Sequence, residues 1–193
     1  MQRCLLHVCC APCSIAIIDE LKGLYDLTVY FYNPNIYPES EYLKRKAEVV
    51  RVCKEWKIPM VDADYETQKW EESVKGLENA PEGGVRCVKC FVIRLQKAGE
   101  YAVKNSFDIF ATTLTSGRNK KADVIHPLGS SIAKKLGLKF LDVDWKTGGR
   151  QEKGRKMVAD RKIYRQDYCG CRFSVENRTQ NSNVKSQNYN LKP

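Results

Sequence analysis

The sequence predicts a Rossmann-like α/β domain, a mostly parallel sheet of four to five strands flanked by helices. Three observations carry this. Short β-compatible runs alternate with longer runs of helical periodicity. The breaks between them hold Pro, Gly or Asn, which end regular structure. And 193 residues, 42% hydrophobic and 29% charged, suit one core of ordinary globular composition.

Each element follows in order. Cys4–Val8 is apolar and β-compatible, and Ala11-Pro12 ends it. Ser14–Leu24 carries Ile17, Ile18, Leu21 and Leu24 at helical spacing. Leu27–Tyr32 is a second strand, closed by the NPNIYP run, where Pro34 and Pro38 fix φ and remove donors. A helix spans Ser40–Trp56, and Pro59–Val61 is a short third strand. Tyr65–Arg86 is polar and ends in the loop signal APEGG. Cys87–Asn105 is helical, and Asp108–Leu114 is a strand. A basic loop, TSGRNKKAD, leads to a helix over Ser131–Leu136 capped by Gly137. His126, before Pro127, reads as a loop residue. Lys139–Val143 is the last strand, and Lys146–Lys162 is polar, basic and partly helical.

Residues 1–175 therefore read as a single α/β domain. Residues 176–193 hold five Asn, two Gln and three apolar residues, too few apolar groups to offset ordering, and read as a flexible tail. No run approaches the roughly 18 apolar residues of a membrane span. The start, MQRCLLHVCC, lacks the pattern of a secretory signal. The expected compartment is the cytoplasm, with no membrane partner.

Nine cysteines in a reducing compartment point to metal ligation or redox catalysis. Cys4 in a strand and Cys53 in a helical pattern read as core thiols. The other seven cluster at structural breaks, as CCAPC (Cys9, Cys10, Cys13), CVKC (Cys87, Cys90) and CGC (Cys169, Cys171). Four thiolates satisfy zinc or an iron–sulfur cluster, and spacing alone does not separate the two. CCAPC falls just past the first strand, where ligands gather in such sheets, and at the electropositive start of a helix, which favours thiolate. If Cys9 and Cys10 serve one centre, the strand must end by Cys9, since neighbours on a regular strand face opposite sides. Cysteines separated only by Gly170 close a small, strained disulfide ring, so a redox-active dithiol is favoured there over metal ligation. His7 reads as a structural histidine of the first strand.

The formal net charge is +10, which suits a polyanionic partner. Nine bases stand against three acids between Lys146 and Arg172, next to YRQDYCGC. Arg118, Lys120 and Lys121 add to them from an earlier loop. Such a patch would hold phosphates with salt-sensitive affinity, against the plainer reading of a solvated helix face.

CCAPC after the first strand, NPNIYP after the second, then CVKC and YRQDYCGC, in this order over residues 3–174, resemble the compact epoxyqueuosine reductases of the QueH type. The resemblance implies a HUP-type fold and reduction of epoxyqueuosine to queuosine at the tRNA wobble position, the last step of queuosine biosynthesis. It implies a [4Fe–4S] cluster on Cys9, Cys10, Cys87 and Cys90, with Cys169 and Cys171 as a redox-active pair or ligands of a second metal. A mononuclear iron beside the cluster is also implied, with Cys13 and Asp144 as candidate ligands. The partners implied are tRNA bearing epoxyqueuosine and an electron donor. Tyr32, Tyr37 and Tyr168 are candidate stacking residues for a splayed base. The rivals are a tRNA sulfur transferase of related fold, a zinc-dependent RNA-binding module and a general thiol oxidoreductase. The first needs ATP, and the Ser-Gly-Gly-x-Asp-Ser pyrophosphate pattern of such enzymes is missing from this sequence.

Overall fold

The computed structural model describes residues 1–174. The tail reading of residues 176–193 lies outside them. Five strands, β1 (Arg3–Val8), β2 (Asp26–Phe31), β3 (Met60–Asp62), β4 (Ile109–Thr112) and β5 (Lys139–Phe140), form one sheet. Its order is β3-β2-β1-β4-β5, and every pairing is parallel.

Both faces of this sheet are covered, and β1 shows how the sequence achieves it. Cys4, Leu6 and Val8 pack on one face with Ile15, Ile18 and Val49, while Leu5 packs on the other with Leu95, Phe110 and Ile132. Side chains alternate across a strand, so an unbroken apolar run serves two cores at once. Each fully buried Leu or Ile is worth roughly 1.5–3 kcal/mol. The first face carries α1 (Ala11–Leu21), α2 (Glu39–Glu55) and α6 (Arg150–Asp160); the second carries α4 (Val85–Lys104) and α5 (Ala122–Leu136). Cys4 and Cys53 are core thiols, as expected.

Several expected boundaries shift. The first helix begins at Ala11, with Pro12 in its first turn, and ends at Leu21. Pro costs nothing there, because the first N–H groups have no partner within the helix. Leu24 lies beyond that end and is exposed. The polar stretch before Arg86 contains a short helix, α3 (Thr67–Ser73), anchored by the buried Trp70. His126 is not in a loop. The fifth helix starts at Ala122 and runs through Pro127, which forfeits the bond to the carbonyl four positions back and crowds its ring against that carbonyl. Gly137 does cap that helix, in the left-handed conformation. The last strand is two residues long. Among the described residues, no helix is long and apolar enough to cross a membrane.

The topology positions the site. The chain proceeds from β1 outward to β2 and β3, then crosses back to place β4 on the other side of β1. A crevice therefore opens at the C-terminal ends of β1 and β4, the switch point where such sheets bind ligands. Cys9 and Cys10 follow β1 into it. A 3-10 turn over Leu114–Ser116 enters it after β4.

Candidate metal centre

Strand β1 ends at Val8, which meets the condition for Cys9 and Cys10 to share a centre. Cys10 is the N-cap of α1, in extended conformation, and Cys13 stands at the third helical position. Side chains at these two positions lie on the same side of a helix start. The sulfurs of Cys9, Cys10 and Cys13 accordingly lie within 4.8 Å of one another, with Cys9 Sγ 3.8 Å from Cys10 Sγ. Hydrogen bonds from Cys10 and Cys13, with the charges of Lys120 and Arg94, hold Cys9 well below the ordinary thiol value. Hydrogen bonding to Cys13 and Cys9, then burial, drives Cys10 upward. The Cys10 hydrogen bond lowers Cys13, but Cys9 and burial outweigh it and push Cys13 to about 11. The triad thus favours one thiolate shared among three sulfurs.

The remaining clustered cysteines form a second group. Cys87 stands in the first turn of α4 and accepts the Gly83 N–H at 3.2 Å. Cys90, one turn on, packs with Trp70, Val74 and Cys171. Burial raises the thiols of Cys87 and Cys90 and pushes Cys171 up to about 11, and each of the three also feels Cys169. All nine thiols are free, those of Cys169 and Cys171 included. Two cations connect the groups. Arg94 and Lys120 act on both Cys9 and Cys90, and Lys120 in turn is raised by Cys9, Cys169 and Cys13. Arg94, 1% exposed, lies one helical turn after Cys90 and donates to Asn33 Oδ1 at 2.5 Å. Asn33 in turn donates to the Val8 carbonyl at 2.9 Å. The NPNIYP segment therefore braces both the end of β1 and the cation of the site.

A cavity of about 890 Å³ opens on this crevice, lined by Cys9, Cys13, Lys120, Gln166, Tyr168 and Cys169, with Arg118, Arg155 and Arg165 also bordering it. Those three arginines are exposed. Much of the remaining basic stretch is engaged internally. Arg150 pairs with Glu20, Lys153 with Asp19, Arg161 with Glu55 and Arg172 with Glu71. Counting charge along the sequence overstated the patch, because the answering acids come from other elements.

Other candidates divide. Tyr37 is 52% exposed, but Tyr32 is buried and donates to Glu66 at 2.9 Å, so it offers no surface for stacking. Asp144 accepts the Lys146 N–H at 3.1 Å, and the close thiol triad does not include it. His7 is a structural residue. Its Nε2 meets the Tyr32 carbonyl at 3.1 Å, so that nitrogen carries the proton and Nδ1 accepts from Thr112 at 2.8 Å. Burial, then the nearby Arg94 charge, lowers its pKa to about 3, so it is neutral at pH 7.

Three polar side chains around the thiols and the CGC backbone escaped the sequence reading. Gln166 donates to Cys10 Sγ at 2.9 Å. Arg94 and Arg45 are the others. Each arginine had a signal in helical spacing, Arg94 four residues after Cys90 and Arg45 four after Glu41.

Residues 4–177 match the family described as Epoxyqueuosine reductase QueH. Relatives of that name include the Histophilus somni protein, 40% identical over 176 residues, covering 90% of this chain and 72% of the relative. The Thermotoga maritima protein is 35% identical over 178 residues, covering 91% of each chain. Among solved structures, the U34-tRNA thiolase NcsA from Methanococcus maripaludis with its [4Fe-4S] cluster superposes with a TM-score of 0.56. At 12% identity, over 96% of this chain and 67% of that one, it shares the fold. The CCAPC, CVKC and YRQDYCGC segments all fall inside the matched span, and the chain belongs to the QueH family of epoxyqueuosine reductases.

Proposed function

We propose that this chain reduces epoxyqueuosine to queuosine at the wobble position of tRNA, in the cytoplasm, as a single α/β catalytic domain. The observation that carries the reading is the convergence of thiols at the switch-point crevice, beside an arginine-bordered cavity, in a chain of this family. The net reaction takes two electrons and two protons, releases the epoxide oxygen as water and leaves an alkene.

The donors suit a [4Fe–4S] cluster: Cys9 and Cys10 belong to the close thiol triad, and a roomy cavity adjoins it. Cys87 and Cys90 stand outside the triad, but Cys90 feels the same two cations as Cys9, which offset the charge of the ligands. Cys9 and Cys10 would hold it from the β1 end, and Cys87 and Cys90 from the start of α4. When bound, it supplies electron relay and Lewis acidity. The chain's own residues do the rest. Lys120 and Arg94 stabilise negative charge at the sulfurs. Cys169 and Cys171 hold two electrons and two protons as a dithiol, replenished by an electron donor. Arg118, Arg155 and Arg165 hold the phosphates that flank the modified base, and Tyr37 and Tyr168 offer faces for stacking. Cys13 stands ready as a ligand for a second, mononuclear iron.

Likeness to a thiolase at 12% identity carries the fold and not its chemistry. One observation favours a second reading. The 3.8 Å between Cys9 Sγ and Cys10 Sγ also matches two thiolates on one tetrahedral zinc, with bonds of about 2.3 Å. Iron, acid-labile sulfide and zinc analysis of anaerobically purified protein, followed by turnover of epoxyqueuosine-tRNA, separates the two. About four sulfides per chain, at least as many irons and an alkene product are expected. One zinc without sulfide, unchanged by reconstitution with iron and sulfide, would sink the reductase reading.

A further inference from the structure

Arg45 is 2% exposed and sits on α2, far in sequence from the CGC segment. Its Nε pairs with Glu41 Oε1 at 2.6 Å, and Glu41 Oε2 accepts the Tyr164 hydroxyl at 2.8 Å. With that edge fixed, the rest of the guanidinium reaches the CGC backbone. Nη1 donates to the Cys169 carbonyl at 2.9 Å and Nη2 to the Tyr168 carbonyl at 3.3 Å. The next carbonyl, Gly170, accepts the Tyr37 N–H at 2.7 Å. Three consecutive carbonyls, 168 to 170, are thus held from outside the segment. Gly170 has φ of +107°, and a Cβ there would stand 2.8 Å from Arg45 Nη1. Glycine is what lets the guanidinium come this close.

We infer that Arg45 is the positioning residue of the Cys169/Cys171 pair, holding its backbone so that the dithiol is favoured over the disulfide. The inference rests on the redox-pair reading given above. Closing a Cys-Gly-Cys ring reorients the peptide units between the two sulfurs. Those are the units whose carbonyls Arg45 and Tyr37 hold, so closure works against a partly buried, charge-assisted hydrogen bond from Arg45 and a backbone bond from Tyr37. A pair whose reduced form is stabilised in this way is a strong oxidant once it is oxidised, and readily regains its two electrons.

The test is a thiol–disulfide equilibrium. Anaerobic holoprotein is equilibrated with defined ratios of reduced and oxidised glutathione, alkylated, and the Cys169–Cys171 disulfide is quantified by peptide mass spectrometry. The Cys169–Cys171 S–S bond forms as the glutathione S–S bond breaks, and both thiol protons end on two reduced glutathiones. The charge-neutral double variant Glu41→Gln/Arg45→Met should favour the disulfide at least tenfold more than the parent, a potential about 30 mV more negative. Arg45→Lys keeps the ion pair but has a single-point donor, so it should shift partway. It also serves as the reading if the double variant fails to fold. Equilibria within twofold of the parent, or a shift toward the dithiol, overturn the inference. No Cys169–Cys171 disulfide at any ratio, in the parent and in both variants alike, overturns the redox-pair reading itself, whereas a disulfide seen only in the variants upholds the inference.

Discussion

Gln166 Nε2 donates to Cys10 Sγ across 2.9 Å, so the YRQDYCGC segment reaches back to the thiol at the cap of α1. If Cys10 holds the cluster as proposed, an N–H directed at its sulfur withdraws charge from it and fixes its orientation, and outer partners of this kind typically govern about 10–100-fold of metal affinity or activity. Gln166→Leu should therefore release iron faster under chelator challenge and lower turnover by about 10–100-fold. Gln166→Glu, which loses the amide donor at nearly the same size, should behave similarly. Iron retention equal to the parent in both variants would show that this bond does not support the centre.

Gly170 has positive φ and stands against Arg45. Gly170→Ala places a methyl in a backbone conformation that costs an L-residue about 1–3 kcal/mol, and it also pushes against a guanidinium fixed by Glu41. Thermal unfolding should show a midpoint lower by about 2–10 °C for a chain of this length. Gly137→Ala is the control. Its φ of +69° carries strain, but nothing lies within 4 Å of the added carbon, so its loss should be smaller. Equal losses would mean that the contact with Arg45 adds nothing to the cost.

These two contacts mark the limit of what the sequence made legible. The alternation of strands and helices placed all five strands, because a parallel sheet writes its burial into unbroken apolar runs such as Cys4–Val8. CCAPC was legible as a site, because Pro12 fixes where the helix starts and so where Cys9 and Cys10 fall. The partners of Arg45 and Gln166 were not. They meet their targets across 124 and 156 residues, and no local pattern records a tertiary hydrogen bond. Tyr32 failed as a stacking residue for the same reason. Its burial comes from α4, which the strand run around it does not foretell. The basic stretch before Arg172 looked stronger than it is because Asp19, Glu20, Glu55 and Glu71 lie elsewhere in the chain.

Glu66 ties three elements together. It pairs with Lys69 and, at 3.0 Å, with Lys97, and it accepts the Tyr32 hydroxyl at 2.9 Å. The hydrogen bonds from Lys69 and Lys97 hold its pKa near 2, against an ordinary 4.5. A depressed carboxylate stabilises the folded state above its unfolded pKa and loses that contribution as pH falls through the folded one. Urea unfolding should therefore show the parent losing stability between about pH 5 and pH 2. Glu66→Gln should be less stable than the parent at pH 7, with the gap closing through that window. A gap that stays constant with pH would rule out the ionised carboxylate as its source.

The arginines bordering the cavity differ from their neighbours in what they already hold. Arg161 pairs with Glu55 at 3.2 Å, whereas Arg155 and Arg165 are exposed at the cavity. Each phosphate neutralised by a protein cation releases condensed counterions, so each such contact adds to the salt dependence of binding by about 0.7–0.9 in the log–log slope. Arg155→Gln and Arg165→Gln should each weaken binding of the substrate tRNA and shallow that slope by about 1. Arg161→Gln, whose charge is answered within the chain, should change neither affinity nor slope appreciably. Measured across salt concentrations, three equal slopes would mean that the nucleic acid approaches from a different face. A loss confined to Arg155 and Arg165 would place the anticodon phosphates over the mouth that Cys9 and Cys169 share.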